Sequence, residues 1–191
     1  TRLHTCRDSL DFNLKAAASK GSVTEAISKE FDAFKEKFCL ALDDVQDPGN
    51  LGTIIRIADW FGIKAVFAAP DTVDVFNPKV VQATMGAVFR VKFHYVDLPS
   101  LSERIKAMKG RIYGTFLDGL DIYSRELATG EDFPVMIVIG NESEGISERM
   151  AALTTDRLYI PPYPADSPGS ESLNAAVATA VTVAEFRRRN F

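Results

Sequence analysis

Three polar segments carry residue types that bind or react with small polar groups. The first is 43–59, where a strand-like stretch gives way to a helix-like one. Pro48 and Gly49 predict a turn there, and Asn50 is a good N-cap for the helix. Arg56 then lies about one turn inside the helix, beside the capped loop. An arginine in this position is well placed to meet an anion.

The second segment, 137–147, is an apolar strand that runs into a polar turn between Gly140 and Gly145. A glycine-rich turn suggests a phosphate cradle, but Glu142 and Glu144 would repel phosphate. The pattern is neither G-x-G-x-x-G nor Walker A, which disfavours dinucleotides and nucleoside triphosphates. The turn suits a ligand that offers hydroxyls, amines or positive charge. An ordinary surface turn is the alternative.

The third segment, 158–178, leaves a short strand through a proline-rich loop and enters a helix of small residues. Ser172 or Asn174 is expected to cap that helix. Its alanines permit close packing, including packing against a second copy of the chain. The alternative is a core helix without a ligand role.

The elements that must position these segments follow a strand–helix alternation. The predicted strands are Phe38–Leu42, Ala65–Ala69, Phe89–Phe93, Arg111–Leu117, Val135–Ile139 and Arg157–Ile160. The predicted helices are Leu51–Phe61, Asn77–Met85, Ser100–Lys109, Ile146–Thr154 and Leu173–Arg189, with a further helical pattern at Val23–Phe38. Apolar strands alternating with helices predict an α/β fold whose mostly parallel sheet is covered by helices on both faces. Such sheets bind ligands at the carboxyl ends of their strands.

Composition limits the class of protein. The 191 residues are 46% hydrophobic and 25% charged, and no apolar run is long enough to cross a bilayer, so a cytoplasmic protein is expected. The net charge of −4 gives no global argument for nucleic acid, so RNA binding would depend on local basic clusters. The candidates are Lys15, Lys20, Lys29, Lys35, Lys37 and the run Arg187–Arg189. The alternative for each is a solvated helix face.

The sequence has few cysteines and histidines, which disfavours several other kinds of site. Cys6 and Cys39 are too few for a disulfide framework and are expected to be reduced, structural thiols. His4 and His94 are the only histidines, which disfavours a Ser/His/Asp site or a histidine-rich metal centre. No metal is therefore expected. The aromatic pair at 60–61 is expected to pack the first helix.

Taken together, the three segments resemble the ordered motifs of the SpoU/TrmH family of RNA ribose 2′-O-methyltransferases. The matching residues are Asp47-Pro48-x-Asn50-x-Gly52 with Arg56 and Ala58, then Ile139-Gly140-x-Glu142-x2-Gly145, then Ile160-Pro161 followed by Ser172-Leu173-Asn174. The resemblance covers roughly residues 38–190. One departure is the stretch 162–168, which stands where the family often has Met-x-Gly after Ile-Pro.

The resemblance implies a methyltransferase domain over 38–191 with a deep C-terminal trefoil knot of the SPOUT type, where the last strand's loop threads before the final helix. Residues 1–37 would be an N-terminal helical arm or the remnant of a trimmed region. The implied reaction moves a methyl group from S-adenosylmethionine, without a metal, to a ribose 2′-hydroxyl of rRNA or tRNA. The segment 77–87 is similar to one common in members that act on rRNA, which favours rRNA. A homodimer is also implied.

The same resemblance assigns two groups of site residues. The catalytic set is Arg56, Asn50, Glu142, Ser172 and Asn174, and the cofactor-binding set is Phe116, Gly140, Asn141, Ile160, Pro161 and Leu173. The family gives the motif-one arginine, Arg56 here, the task of proton acceptor. An arginine base is unusual because a guanidinium holds its proton strongly. The alternative is that Arg56 clamps a phosphate and that water or another group takes the proton.

Two other functions remain open from the sequence. The chain could be a catalytically silent RNA-binding subunit of the same fold, although the complete set of motif residues argues against that. It could also be a small-molecule α/β transferase that does not act on RNA.

Overall fold

The computed structural model describes residues 38–128, 133–164 and 172–189. Its strands are β1 (Phe38–Leu42), β2 (Ala65–Ala68), β3 (Lys92–Tyr95), β4 (Arg111–Asp121), β5 (Val135–Ile139) and β6 (Asp156–Tyr159). Its helices are α1 (Pro48–Trp60), α2 (Pro78–Thr84), α3 (Leu98–Ala107), α4 (Glu148–Leu153) and α5 (Ala175–Arg188). The predicted N-terminal arm and its helix lie outside the described residues.

The six strands form one parallel sheet in the order β3-β2-β1-β5-β4-β6. β1 lies centrally, with Leu40 opposite Val66 of β2 and Ile137 of β5. Alternate residues of β1 pack into two separate hydrophobic cores. Leu40 belongs to one core, whereas Cys39 and Ala41, on either side of it in the chain, belong to the other. This period of two confirms a parallel sheet covered on both faces.

The first helix starts earlier than the sequence predicts. Asp47, not Asn50, is the N-cap, and its carboxylate accepts a hydrogen bond of 2.7 Å from the Asn50 backbone amide. Pro48 occupies the first helical position, where its missing N–H costs nothing. The turn predicted at Pro48 and Gly49 is therefore the first turn of α1, and the side chain of Asn50 is left for other partners.

Gly52 brings α1 unusually close to α2. A Cβ at this position would lie 2.5 Å from the Cβ of Ala83 and 2.8 Å from the carbonyl oxygen of Val80. No larger residue fits there without moving a helix. The contact fixes α1, and with it Arg56, relative to the rest of the fold.

The third strand begins later than predicted. Residues 87–89 form a short 3-10 helix after Gly86, which has a φ of +84°, and the amide of Val91 donates to the carbonyl of Ala87. Because these residues make a helical turn, the strand starts only at Lys92. The apolar run was a correct signal for burial but a wrong one for strand position. Among the other elements, the bounds of β1 and β5 match the prediction, and the remaining bounds differ from it by at most four residues.

The end of α5 corrects the sequence-based view of its arginines. Arg187 donates to the carbonyl of Phe61, whereas Arg188 and Arg189 both donate to the carboxylate of Glu185. Arg189 also donates to the carbonyl oxygens of three residues after β4: Ile122, Tyr123 and Arg125. The run Arg187–Arg189 is therefore engaged within the protein, neither a simple solvated face nor a free basic cluster.

The aromatic pair after α1 behaves differently from the prediction. Phe61 packs against the larger core cluster, as expected, but Trp60 is 84% exposed, so the prediction that it packs the helix is wrong. Cys39 is free and buried, and burial raises the pKa of its thiol, which confirms a structural thiol. No helix in the described part of the chain is long and apolar enough to span a membrane.

Candidate functional site

Two of the three predicted segments are joined at the carboxyl edge of the sheet, where the loops after β1 and β5 meet. The backbone amide of Asp43 donates to the carbonyl of Ile139 at 2.8 Å, and the Asp43 carboxylate accepts from the amide of Ser147 at 2.8 Å. The side-chain amide of Asn141 donates to the carbonyl of Asp44 at 2.9 Å. β1 and β5 are sheet neighbours, which is why residues almost 100 positions apart in the chain come together here.

Glu142 is the acceptor at the centre of this junction. Its carboxylate accepts hydrogen bonds from the backbone amides of Gln46 at 3.1 Å and Asp47 at 3.0 Å, and from the side-chain amide of Asn50 at 3.0 Å. Burial alone would raise the pKa of Glu142, but these donors outweigh burial and lower it. The side chain is thus an ionised acceptor that holds the loop before α1.

Asn50 extends this contact to the third segment. Its side-chain oxygen accepts a hydrogen bond of 2.8 Å from the side-chain amide of Asn174. Asn174 caps α5, because its oxygen accepts from the amides of Ala176 and Val177. An ionised Glu142 can only accept, so the NH₂ group of Asn50 must face Glu142 and its oxygen must face Asn174. We call Glu142, Asn50 and Asn174 the motif network.

The turn between Gly140 and Gly145 is closed on itself. A Cβ on Gly140 would lie 2.2 Å from the carbonyl carbon of Gly145, and Gly145 has a φ of +73°, so both positions require glycine. The side-chain oxygen of Asn141 accepts from the amides of Ser143 and Glu144. Since those amides are engaged, the turn does not offer them to a phosphate, in agreement with the sequence-based reading of its acidic residues.

Arg56 stands apart from the motif network. It lies six residues after Asn50 on α1, about 9 Å further along the helix axis. Its side chain is exposed, and it makes no hydrogen bond or ion pair with any residue that the structure describes. The guanidinium is therefore available to a ligand, while α1 itself is held firmly by Gly52 and Asp47.

An open cleft of about 580 Å³ separates α1 from α5. Asn50 and Asn174 lie at its polar end, and Ile57, Val177 and Val181 belong to its apolar lining. The motif network thus borders a surface that is largely hydrophobic.

The predicted cofactor residues follow three neighbouring strands. Phe116 lies in β4, Gly140 and Asn141 follow β5, and Ile160 with Pro161 follows β6. Because these strands are parallel and adjacent, the residues lie along one edge of the sheet. Leu117 is 71% and Leu120 58% exposed beside them. Large apolar side chains exposed along such an edge suit a ligand with a flat apolar part.

Two predicted residues are not drawn into this arrangement. Ser172 is exposed and makes no hydrogen bond to any residue of the described ranges, and Leu173 is about half exposed just before α5. Asn174 alone provides the cap that the sequence assigns to one or the other of Ser172 and Asn174. In the described residues no group of three or more His, Cys, Asp or Glu side chains could hold a metal ion.

Asp43 and Asp47 help to build the site, although the sequence-based assignment places neither in the catalytic or the cofactor-binding set. Asp47 carries a detectable signal, because an acidic residue directly before a proline is typical of a helix start. Asp43 carries none, since its partner Ser147 lies 104 positions away in the chain.

Comparison with known proteins agrees with this arrangement. The sequence profile of the SpoU rRNA Methylase family matches residues 37–184. A Bacillus subtilis protein named as a 23S rRNA guanosine 2′-O-methyltransferase is 38% identical over 78% of this chain and 57% of its own length.

Solved structures show the same likeness. A Porphyromonas gingivalis protein assigned to the TrmH family of RNA methyltransferases is 45% identical, with a TM-score of 0.74 over 81% of this chain and 60% of its own. An rRNA methyltransferase from Sinorhizobium meliloti, crystallised with bound AdoMet, is 33% identical, with a TM-score of 0.70 over 81% of this chain and 57% of its own. The chain spans less than two thirds of the length of each of these relatives.

Proposed function

The chain belongs to the SpoU rRNA methylase family, and from this premise we propose that it transfers a methyl group from S-adenosylmethionine to a ribose 2′-hydroxyl of RNA. The observation that carries the proposal is the motif network, in which Asn50 donates to Glu142 and accepts from Asn174, on the same helix as Arg56, which has no partner among the described residues. A relative without catalytic activity would not need to keep these side chains in this hydrogen-bonded arrangement.

The carboxyl edge of β4, β5 and β6 fits the donor. The proposed pocket residues are Phe116, Gly140, Asn141, Ile160, Pro161 and Leu173. S-adenosylmethionine has a flat purine, which suits exposed apolar side chains such as Leu117, and a sulphonium cation, which suits an edge that carries Glu142 and Glu144 and engages its own amides. The bound donor would supply an electrophilic methyl group and lose its positive charge as it reacts.

The ribose hydroxyl needs a different kind of help, because it is a weak nucleophile that must lose a proton. We propose that Arg56 meets the RNA, either by clamping a phosphate next to the target ribose or by taking part in the proton transfer. Its exposure and lack of partners in the described ranges support contact with a ligand. Asn50 and Glu142 would hold the start of α1, and Ser172 and Asn174 would shape the other wall of the site.

We propose ribosomal RNA as the substrate in preference to tRNA. The family description names rRNA, and the B. subtilis relative is named for a 23S rRNA nucleotide. The resemblance of the segment at 77–87 supports the same choice. In the structure Asn77 caps α2, a helix that packs against α1.

A homodimer is proposed on the basis of the cleft between α1 and α5. Its lining of Ile57, Val177, Ala180 and Val181 is apolar and open, as expected of a surface that another copy covers. Light scattering at micromolar concentration is expected to give twice the chain mass, and a single-chain mass would contradict this part of the proposal.

We also propose the trefoil knot that the resemblance implies. The chain leaves the sheet at the edge strand β6 and returns through 160–174 to contact α1, where Asn174 meets Asn50. A threaded connection would account for this return. Residues 165–171 of the threading segment lie outside the described residues. A crystal structure with an unthreaded chain would refute the knot. The cytoplasmic location likewise stays a prediction.

The proposed reaction is tested by incubating the protein with ribosomal RNA, transfer RNA and methyl-labelled S-adenosylmethionine, followed by digestion to nucleosides and mass spectrometry. The expected product is a labelled 2′-O-methyl nucleoside, from the ribosomal pool above all. Donor binding without label in either RNA would favour a silent RNA-binding subunit. Label in a small molecule but not in RNA would favour a different transferase, and label on a base would refute ribose specificity.

A further inference from the structure

A short stretch of β4 leaves the sheet ladders next to the proposed donor pocket. β4 pairs with β5 only as far as Gly114, and its pairing with β6 slips between Thr115 and Leu120, both of which lie opposite Leu158. The four residues 116–119 therefore protrude as a bulge that ladder hydrogen bonds do not shape. Other contacts must fix its form.

One side of the bulge is pressed against the backbone of β6. A Cβ on Gly119 would lie 2.4 Å from the carbonyl carbon of Leu158, so only glycine allows this approach. Near its start, the ring of Phe116 covers Gly114, where a Cβ would lie 2.7 Å from the ring and 2.8 Å from Ile146 of the β5–α4 loop. The bulge is thus tied to the loop that follows the Gly140–Gly145 turn.

Arg157 closes the outer side of the bulge. It lies on β6 opposite Gly114, and its guanidinium carbon is 3.6 Å from the centroid of the Phe116 ring. The same guanidinium forms an ion pair with Asp118, and this hydrogen bond lowers the pKa of the Asp118 carboxyl. One planar side chain therefore holds the first and third residues of the bulge.

We propose that Arg157 is a positioning residue for the methyl donor. It keeps the backbone of 116–118 in the shape that the donor's adenosine part requires, and it does so through Phe116 and Asp118 without touching the donor. The inference rests on the proposed function, because it assumes that the carboxyl edge of β4, β5 and β6 binds S-adenosylmethionine. It adds a residue that belongs to none of the three motifs.

The direct test is calorimetric binding of S-adenosylhomocysteine to the full chain and to Arg157→Leu. Loss of both contacts is expected to weaken binding about tenfold, with Arg157→Lys recovering only part of the affinity, because lysine keeps the charge but not the planar group that stacks on Phe116. In steady-state assays KM for the donor rises by the same factor, while kcat at saturating donor and the KM for RNA stay within about twofold. A residue that only supports the fold would not produce this split.

The control is Lys64→Leu. This change removes an exposed positive charge just before β2, at the amino ends of the strands and away from the proposed pocket at their carboxyl ends. It should bind the donor like the parent protein. Asp118→Asn, a change on an exposed side chain, should weaken binding by about threefold through loss of the ion pair. In a Phe116→Leu background the effect of Arg157→Leu should shrink, because the two residues act as one unit.

Three outcomes would overturn the inference. These are donor affinity in Arg157→Leu equal to that of the parent protein, loss of affinity with the same fold-change in Lys64→Leu, and effects of Arg157→Leu and Phe116→Leu that simply add. If the parent protein itself binds no donor at millimolar concentration, the proposed function has failed, which is a different result from a parent that binds and a variant that binds equally well.

Discussion

The arginines of α1 and of α5 make an instructive pair. Arg56 is exposed halfway along α1 and has no partner in the described ranges, although it stands in a weakly charged stretch of sequence. Arg187, Arg188 and Arg189 form the densest basic run in the described residues, and each donates to an acceptor within the fold.

This difference indicates which arginines are candidates for binding a ligand. Arg189 ends α5 against three carbonyl oxygens after β4, and Glu185 neutralises it together with Arg188. Such a cluster stabilises a helix terminus. Arg56, on a rigid helix, makes no hydrogen bond with the described residues, which supports the proposal that it meets the RNA.

The largest effect on activity is expected from a substitution at Arg56. Arg56→Ala should lower ribose methylation by at least about a hundredfold, whether the lost role is proton handling or phosphate clamping. Donor binding should be almost unchanged, because the proposed donor pocket lies on other loops. Initial rates of labelled methyl transfer measure this, with Arg188→Ala as the matched control that should keep its activity. Full methylation by Arg56→Ala would exclude both roles.

Arg56→Lys separates the two roles. Lysine keeps the positive charge, so a phosphate clamp should lose about tenfold to a hundredfold, or about 1–3 kcal/mol for a charged hydrogen bond. A much larger loss with RNA affinity retained would favour a part in the proton transfer. RNA affinity is measured by filter binding at fixed salt, because phosphate contacts depend on ionic strength.

The next effect concerns the motif network. In Glu142→Gln an NH₂ group replaces one of the two oxygens that accept from Gln46, Asp47 and Asn50, so at least one donor loses its partner. Leaving such a donor unsatisfied costs about 1–3 kcal/mol, and methylation should fall about tenfold while the fold persists. Glu103→Gln is the control, since Glu103 is exposed on α3, outside the network and the proposed donor pocket. Equal rates for both variants would mean that the network does not position α1 for catalysis.

A smaller effect, on stability and not on activity, is expected from a substitution at the end of α5. Arg189→Ala removes hydrogen bonds to Ile122, Tyr123 and Glu185, and the free energy of unfolding should fall by about 1.5–3 kcal/mol. Methylation per folded molecule should hardly change. Urea unfolding of this variant beside Arg188→Ala should show a clearly larger loss for Arg189. A loss of RNA binding without a loss of stability would contradict the structural role.

The smallest effect is a pH dependence. Hydrogen bonds from Arg188 outweigh burial and, together with those from Arg189, lower the pKa of Glu185 from 4.5 to about 2. A lowered pKa gives stability that is fully present above pH 4.5 and is lost as the pH falls toward about 2. Parent protein and Glu185→Gln should therefore differ in unfolding free energy at neutral pH and converge in acid. Parallel curves over this range would contradict the assignment.

The sequence predicted the parallel sheet because its strands are buried on both faces, and it placed β1 and β5 correctly. It missed the start of β3, since Ala87, Val88 and Val91 are buried in a 3-10 helix and the turn that follows it. The prediction that Trp60 packs the first helix is wrong, because Trp60 lies on the exposed side of α1. Residue type alone does not determine which helix face is covered.

For the site, the sequence indicated which residues to consider but not how they contact one another. Glu142, Asn50 and Asn174 were identified as site residues, yet their mutual hydrogen bonds could not be predicted from a single sequence. The partners are 92 and 124 residues apart and meet only because β5 lies beside β1 and α5 returns to α1. Asn50 was also predicted to cap α1, which was wrong because Asp47 takes that place. The catalytic and donor-binding roles of all the predicted site residues stay predictions.

The most direct test is a map of ribose methylation in total RNA from cells of the source organism, with the gene present, deleted, and restored as parent or as Arg56→Ala. Deletion should remove a 2′-O-methyl signal, in ribosomal RNA above all, that the parent gene restores and the Arg56→Ala gene does not. Identical maps with and without the gene, or full restoration by Arg56→Ala, would contradict the account.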